Sequence, residues 1–187
     1  MKFIIALLTL SFANIAYSEE FNEIPEIAKL FQDVNVEGTF VLYDLSKNKL
    51  SGYNGLRAKR EFIPASTFKI ANSLIGLESG TISSVDEVLP YGGEPQFIKA
   101  WENDMGLRDA IKISNVPIYQ ELARRIGLDR MQDMISKLGY GNQDIGSVVD
   151  RFWLDGPLKI SALEQVKFIA KLIKDELPIL QKHQAEV

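Results

Sequence analysis

At 187 residues, with 46% hydrophobic and 25% charged residues, the chain is long enough for one domain with a real core and barely long enough for two. A net charge of −4 argues against nucleic acid as a partner, since that would need a basic patch or stripe. One histidine and no cysteine exclude an ordinary zinc site built from this chain alone, and any cysteine nucleophile.

The first eighteen residues differ from the rest. Met1-Lys2 is a short basic start, Phe3 to Leu10 is apolar apart from Thr9, and Ala16 and Ser18 put small residues at the usual cleavage positions before Glu19-Glu20. The pattern predicts a secretory signal peptide over 1–18, too short to span a membrane, and a mature domain over 19–187. Its removal would leave a net charge of −5. With no cysteine for lipid attachment, the expected product is an exported, soluble protein with no membrane partner, stabilised by packing and not by disulfides.

Glu23 to Gln32 predicts a short helix with Ile24, Ile27, Leu30 and Phe31 on one side. Gly38 to Asp44 reads as a strand, Leu45 to Lys49 as a turn, and Leu50 to Tyr53 as the returning strand. The chain then reads as helical. A helix over the Ser66 segment ends at Gly80 as C-cap, and a loop follows through Pro90 to Pro95. Further helices are expected at Gln96–Trp101, Leu107–Ile113, Ile118–Ile126 and Arg130–Leu138. Gly139-Tyr140-Gly141-Asn142 makes a tight loop. A last helix from about Ser161 to Glu176 opens with the capping box Ser161-Ala162-Leu163-Glu164 and is closed by Pro178. Two strands alone are marginal in water, so the pattern predicts an α+β domain whose antiparallel sheet is incomplete. The residues after Leu177 are too few and too polar to add strands, and His183 among them is expected at the surface and not as a catalytic base.

Chemistry concentrates at Pro64-Ala65-Ser66-Thr67-Phe68-Lys69. Residues three apart on a helix share a face, so the Lys69 amine can reach the Ser66 hydroxyl. Set beside Phe68, Ile70 and Ala71, the lysine is desolvated, which lowers its pKa and makes it a base for a serine nucleophile. The same spacing recurs at Ser46-Lys47-Asn48-Lys49, among turn formers where a solvated loop is the better reading. A serine triad would have to use His183, so lysine is the expected base. Taken singly, other residues have ordinary readings. Ser114 would be a helix-end cap, the Tyr140 loop a helix stop, Trp153 core, and Lys69 a snorkelling helix lysine.

Taken in order, these elements resemble the class D serine β-lactamases, the oxacillinase group. The matching elements are Pro64 to Lys69, Ser114-Asn115-Val116, Tyr140-Gly141-Asn142 and Phe152-Trp153-Leu154-Asp155-Gly156-Pro157-Leu158-Lys159-Ile160-Ser161, spanning most of residues 38 to 178. The resemblance implies the β-lactamase/penicillin-binding transpeptidase-like fold and β-lactam small molecules as substrates. It implies Ser66 as the acylated nucleophile and Lys69, carrying carbon dioxide as a carbamate, as general base. Ser114 would relay a proton and Val116 would wall the base from water. Trp153 would hold the carbamate, and Tyr140 and Asn142 would bind substrate or support the site. No other cofactor and no metal is implied. With the export signal, the family's usual hosts imply the periplasm. An oligomeric state is not implied.

One family element is not found. No Lys-Thr-Gly or Lys-Ser-Gly tripeptide occurs, and Lys137-Leu138-Gly139 is a helix end. The chain reads as the N-terminal part of the family pattern, truncated before that strand. Three further readings therefore stand beside hydrolysis: a sensor-like module that is acylated but not turned over, a D,D-peptidase, and an inactive relic.

Overall fold

The computed structural model describes residues 20–187, so the expected signal peptide lies outside the described residues. The first strand, β1 (Phe21–Glu23), precedes helix α1 (Pro25–Asp33), and the hairpin expected next is present as β2 (Phe40–Asp44) and β3 (Lys49–Tyr53). The sheet has the order β1-β3-β2, with β2 antiparallel and β1 parallel to β3. The third strand was not foreseen, because three residues are too few to show alternation. It is held by Asn22 Nδ2 donating to the Leu50 carbonyl at 3.1 Å, and by the Glu23 carboxylate accepting from Asn54 and Gly55 N–H.

After Tyr53 the chain is not simply helical. A single turn, α2 (Gly55–Ala58), leads to strand β4 (Glu61–Phe62). This strand pairs antiparallel with β5 (Ile160–Ser161), Phe62 opposite Ile160. A two-residue strand leaves no periodicity to read. The pairing nonetheless fixes where residues 63–66 enter the core.

The core is built on α3 (Phe68–Glu78), of which every residue from Phe68 to Leu77 except Ile70 is buried. It ends in the left-handed Gly80, φ 66°, with Gly80 N–H bonded to Leu77 O. Across it lies α5 (Val116–Ile126), preceded by α4 (Leu107–Lys112) and followed by α6 (Leu128–Leu138). Gly76 allows the crossing, since a Cβ there would stand 2.9 Å from Leu122 Cδ1. Helix α7 (Ala162–Ile173) opens with the expected capping box, Glu164 N–H to Ser161 Oγ at 3.2 Å and Ser161 N–H to Glu164 Oε2 at 2.8 Å. It packs beside β2 and ends at Ile173, short of Glu176.

Two expectations are corrected. The helix over Gln96–Trp101 shrinks to a 3₁₀ turn at Lys99–Trp101, because Phe97 is fully exposed and Ile98 is extended, leaving no apolar face to bury. His183 is not a free surface residue. It lies on the short helix α8 (Gln181–Glu186), half-buried, with Nδ1 2.9 Å from Glu78 Oε2. Among the described residues no helix is long and apolar enough to cross a membrane.

Candidate active site

Pro64 ends the extended entry from β4, and a 3₁₀ turn over Ala65–Thr67 runs straight into α3. This puts Ser66 at the exposed mouth of the helix and Lys69 one turn inward, where the residue is 1% exposed. Phe68 locks the turn between them, its ring 5.5 Å from Tyr140, 5.1 Å from Phe152 and 5.4 Å from Trp153. Ala65 stands at φ 47°, a left-handed conformation that costs a non-glycine residue about 1–2 kcal/mol. Its N–H donates to the Trp153 carbonyl at 2.9 Å.

Ser114 comes from the turn between α4 and α5, itself left-handed at φ 53°. Its Oγ lies 2.7 Å from Ser66 Oγ and 3.0 Å from Lys69 Nζ, while Lys69 Nζ lies 2.9 Å from Ser66 Oγ. Two hydroxyls and one amine thus form a closed triangle. Burial alone pushes the Lys69 amine down from 10.5 to about 8, so a substantial neutral fraction exists near physiological pH. Below it lies the ring of Tyr119, whose centroid is 5.5 Å from Nζ. Burial pushes the Tyr119 phenol up to about 12, so it stays protonated, and its oxygen lies 3.2 Å from Ser73 Oγ. Ser73 Oγ in turn donates to the Lys69 carbonyl, and Asn72 Nδ2 donates to the Tyr119 carbonyl at 3.1 Å.

The remaining sequence-assigned residues are Val116, Trp153, Tyr140 and Asn142. Val116, half-buried, is the first residue of α5, two positions after Ser114. Trp153 is fully buried and reaches the nucleophile turn through its main-chain carbonyl. Tyr140 is buried beneath Phe68 and donates to Gln165 Oε1 at 2.8 Å. Asn142 is exposed, but its side chain is spent on the Pro157 carbonyl (3.0 Å) and Lys159 N–H (3.0 Å). Between them Gly141 is left-handed at φ 55°, and a Cβ there would be 2.0 Å from the Lys159 carbonyl oxygen. Tyr140 and Asn142 make no hydrogen bond to the triangle among those of the described residues.

Sequence reading missed Ala65, Asn72, Ser73, Trp101, Asn115 and Tyr119. A positive φ at alanine has no signature, and Ser73 and Tyr119 look like ordinary helix residues. Asn115 carried a legible signal, since asparagine before Val116-Pro117 is an N-cap pattern, and its Oδ1 accepts from Ile118 N–H at 3.2 Å. Among the described residues no group of three or more His, Cys, Asp or Glu could hold a metal ion.

Residues 38–182 match the model of the penicillin-binding protein transpeptidase domain. The chain is 45% identical to β-lactamase OXA-5 of Pseudomonas aeruginosa over 98% of its own length and 69% of that protein. It is 43% identical to β-lactamase OXA-10 of the same organism over 83% of its length and 59% of that protein. Among solved structures it superposes on FUS-1 (OXA-85), a class D β-lactamase from Fusobacterium nucleatum subsp. polymorphum, with a TM-score of 0.86 and 48% identity, covering 88% of this chain and 69% of that one. The chain thus spans between 59% and 69% of the length of these relatives. With the Ser66–Lys69–Ser114 triangle in its helical half, the chain belongs to the penicillin-binding protein transpeptidase domain family, among the class D β-lactamases.

Proposed function

We propose that this chain opens β-lactam rings through an acyl-enzyme on Ser66. The observation that carries the reading is the buried Lys69 amine, 2.9 Å from Ser66 Oγ with its pKa lowered to about 8. A neutral amine there takes the Ser66 proton as Oγ attacks the lactam carbonyl carbon. The Ser66 N–H supplies a donor to the oxyanion that develops. The carbonyl–nitrogen bond then breaks. Ser114 Oγ gives its proton to the departing nitrogen and recovers one from Lys69 Nζ, 3.0 Å away. Water cleaves the ester and restores Ser66, releasing the ring-opened acid.

The same reading places a carbamate on Lys69. Burial lowers the amine to about 8, and the indole N–H of the buried Trp153 can only donate, which suits a carbamate oxygen. Carbon dioxide held there would supply an anionic oxygen base that stays unprotonated at neutral pH. The export pattern at 1–18 supports a periplasmic enzyme that meets its substrates as free small molecules.

The test is hydrolysis of a chromogenic cephalosporin by the full chain in bicarbonate buffer. Turnover that is abolished in Lys69→Ala while slow acylation persists is the expected result. Unchanged turnover in that variant overturns the role of Lys69, and acylation without product release identifies a sensor-like module instead.

A further inference from the structure

Ser114 is tied on both sides to one tryptophan. The Trp101 indole N–H donates to the carbonyl of Ile113 at 3.0 Å, and Asn115 Nδ2 donates to the carbonyl of Trp101 at 3.3 Å. The residues immediately before and after Ser114 therefore share an anchor. Asn115 is fully buried and uses both ends of its amide, Oδ1 capping α5 at Ile118 N–H and Nδ2 also 3.7 Å from Met105 Sδ. The anchor segment is itself fixed, since Met105 exchanges main-chain hydrogen bonds of 3.1 Å with Leu89 in both directions.

This bracing meets a specific need. At φ 53° Ser114 occupies a conformation that glycine takes freely, yet glycine has no hydroxyl to place 2.7 Å from Ser66 Oγ. A serine kept there must be held by its surroundings. Main-chain bonds from Ser114 N–H to the Ile111 carbonyl (3.2 Å) and from Asn115 N–H to the Ala110 carbonyl (2.8 Å) hold the N–H side of this turn, and the Trp101 indole holds the Ile113 carbonyl.

We propose that Trp101 and Asn115 form a reciprocal clamp, a pair of positioning residues that holds the Ser114 hydroxyl on the Ser66–Lys69 pair. Neither side chain touches the reacting atoms. The proposal rests on the reading of Ser114 as the proton relay of a β-lactam hydrolase, and its test separates the two.

Trp101→Phe keeps an aromatic ring and removes the indole donor. Asn115→Thr keeps an oxygen to cap Ile118 N–H and removes the amide donor. In the full chain each variant should slow formation of the benzylpenicillin adduct on Ser66, followed by intact mass, by about tenfold or more. The double variant should be little slower than either single one, because both break one device. A second readout needs no reaction: the pH titration of the Lys69 ε-methylene by NMR. Ser114→Ala should move its midpoint, Trp101→Phe and Asn115→Thr should move it the same way, and Ile113→Val should leave it in place. If the parent chain gains no adduct, the hydrolase reading fails while the titration still decides the clamp. A midpoint that responds to Ser114→Ala but not to Trp101→Phe overturns the clamp, and so do fully additive losses in the double variant.

Discussion

The main-chain N–H of Ala65 donates to the carbonyl of Trp153 at 2.9 Å, so the residue before the nucleophile is pinned to an aromatic core residue nearly ninety positions later. That bond crosses from the start of α3 to the loop preceding β5, and the rings of Phe68, Phe152 and Trp153 close around it. Trp153→Ala should cost about 3–5 kcal/mol, as for other buried aromatics, and loosen Ser66. Trp153→Phe should stay folded at a smaller packing cost and lose the indole donor. Urea midpoints for the two variants, with turnover measured in bicarbonate, separate packing from the donor role.

Burial of Lys69 links function to pH and to stability. Between the folded value of about 8 and the ordinary 10.5 the unfolded chain binds more protons than the folded one, so stability rises with pH across that window. The penalty is fully present below about pH 8 and absent above the ordinary value; it amounts to on the order of 3 kcal/mol. Lys69→Met should therefore melt a few degrees higher than the parent at pH 7, and the gain should shrink by pH 10. Calorimetry at the two pH values checks it. Acylation by the parent chain should increase through pH 8 as the amine becomes neutral.

The Tyr140–Asn142 loop should behave as structure. Tyr140→Phe loses one hydrogen bond to Gln165 and should cost about 1 kcal/mol, leaving the acylation rate unchanged. Gly141→Ala should be far worse than Asn142→Ala, because it forces both a positive φ and a Cβ 2.0 Å from the Lys159 oxygen. A faster fall in acylation than in stability for Tyr140→Phe would instead give the phenol a direct part in the chemistry.

Glu78 ties the end of the described chain to α3. Burial works to raise its pKa, but hydrogen bonds from Leu180 N–H, His183 and Lys137 outweigh that and hold it below the ordinary value of 4.5. The stability this adds is present above 4.5 and is lost as pH falls through the lowered value. Glu78→Gln should raise hydrogen exchange in residues 178–187 at neutral pH and leave α5 protected. Uniform exchange across both segments would contradict it.

Much of this arrangement was legible in the sequence, and the exceptions share a cause. The hairpin, α3, α5, α6 and the capping box at Ser161 announce themselves because each repeats a period or ends on a cap. Strands β1, β4 and β5 are two or three residues long, below any period, and exist only through pairing across long stretches of chain. The helix expected at Gln96 failed because apolar spacing does not create a surface to bury Phe97 against. In the site, Ser66 and Lys69 follow from helical spacing. That Ser114 closes their triangle depends on a left-handed turn and on Gly76 letting α5 approach, neither of which has a local signature.

The most direct measurement is the intact mass of the chain, parent and Ser66→Ala, before and after benzylpenicillin in bicarbonate buffer. The account predicts a mass increase of one penicillin on the parent, mapped to Ser66 by peptide digestion, and none on Ser66→Ala. No adduct on a parent chain that melts cooperatively, or an adduct that persists in Ser66→Ala, would contradict the assignment of Ser66 as the activated nucleophile.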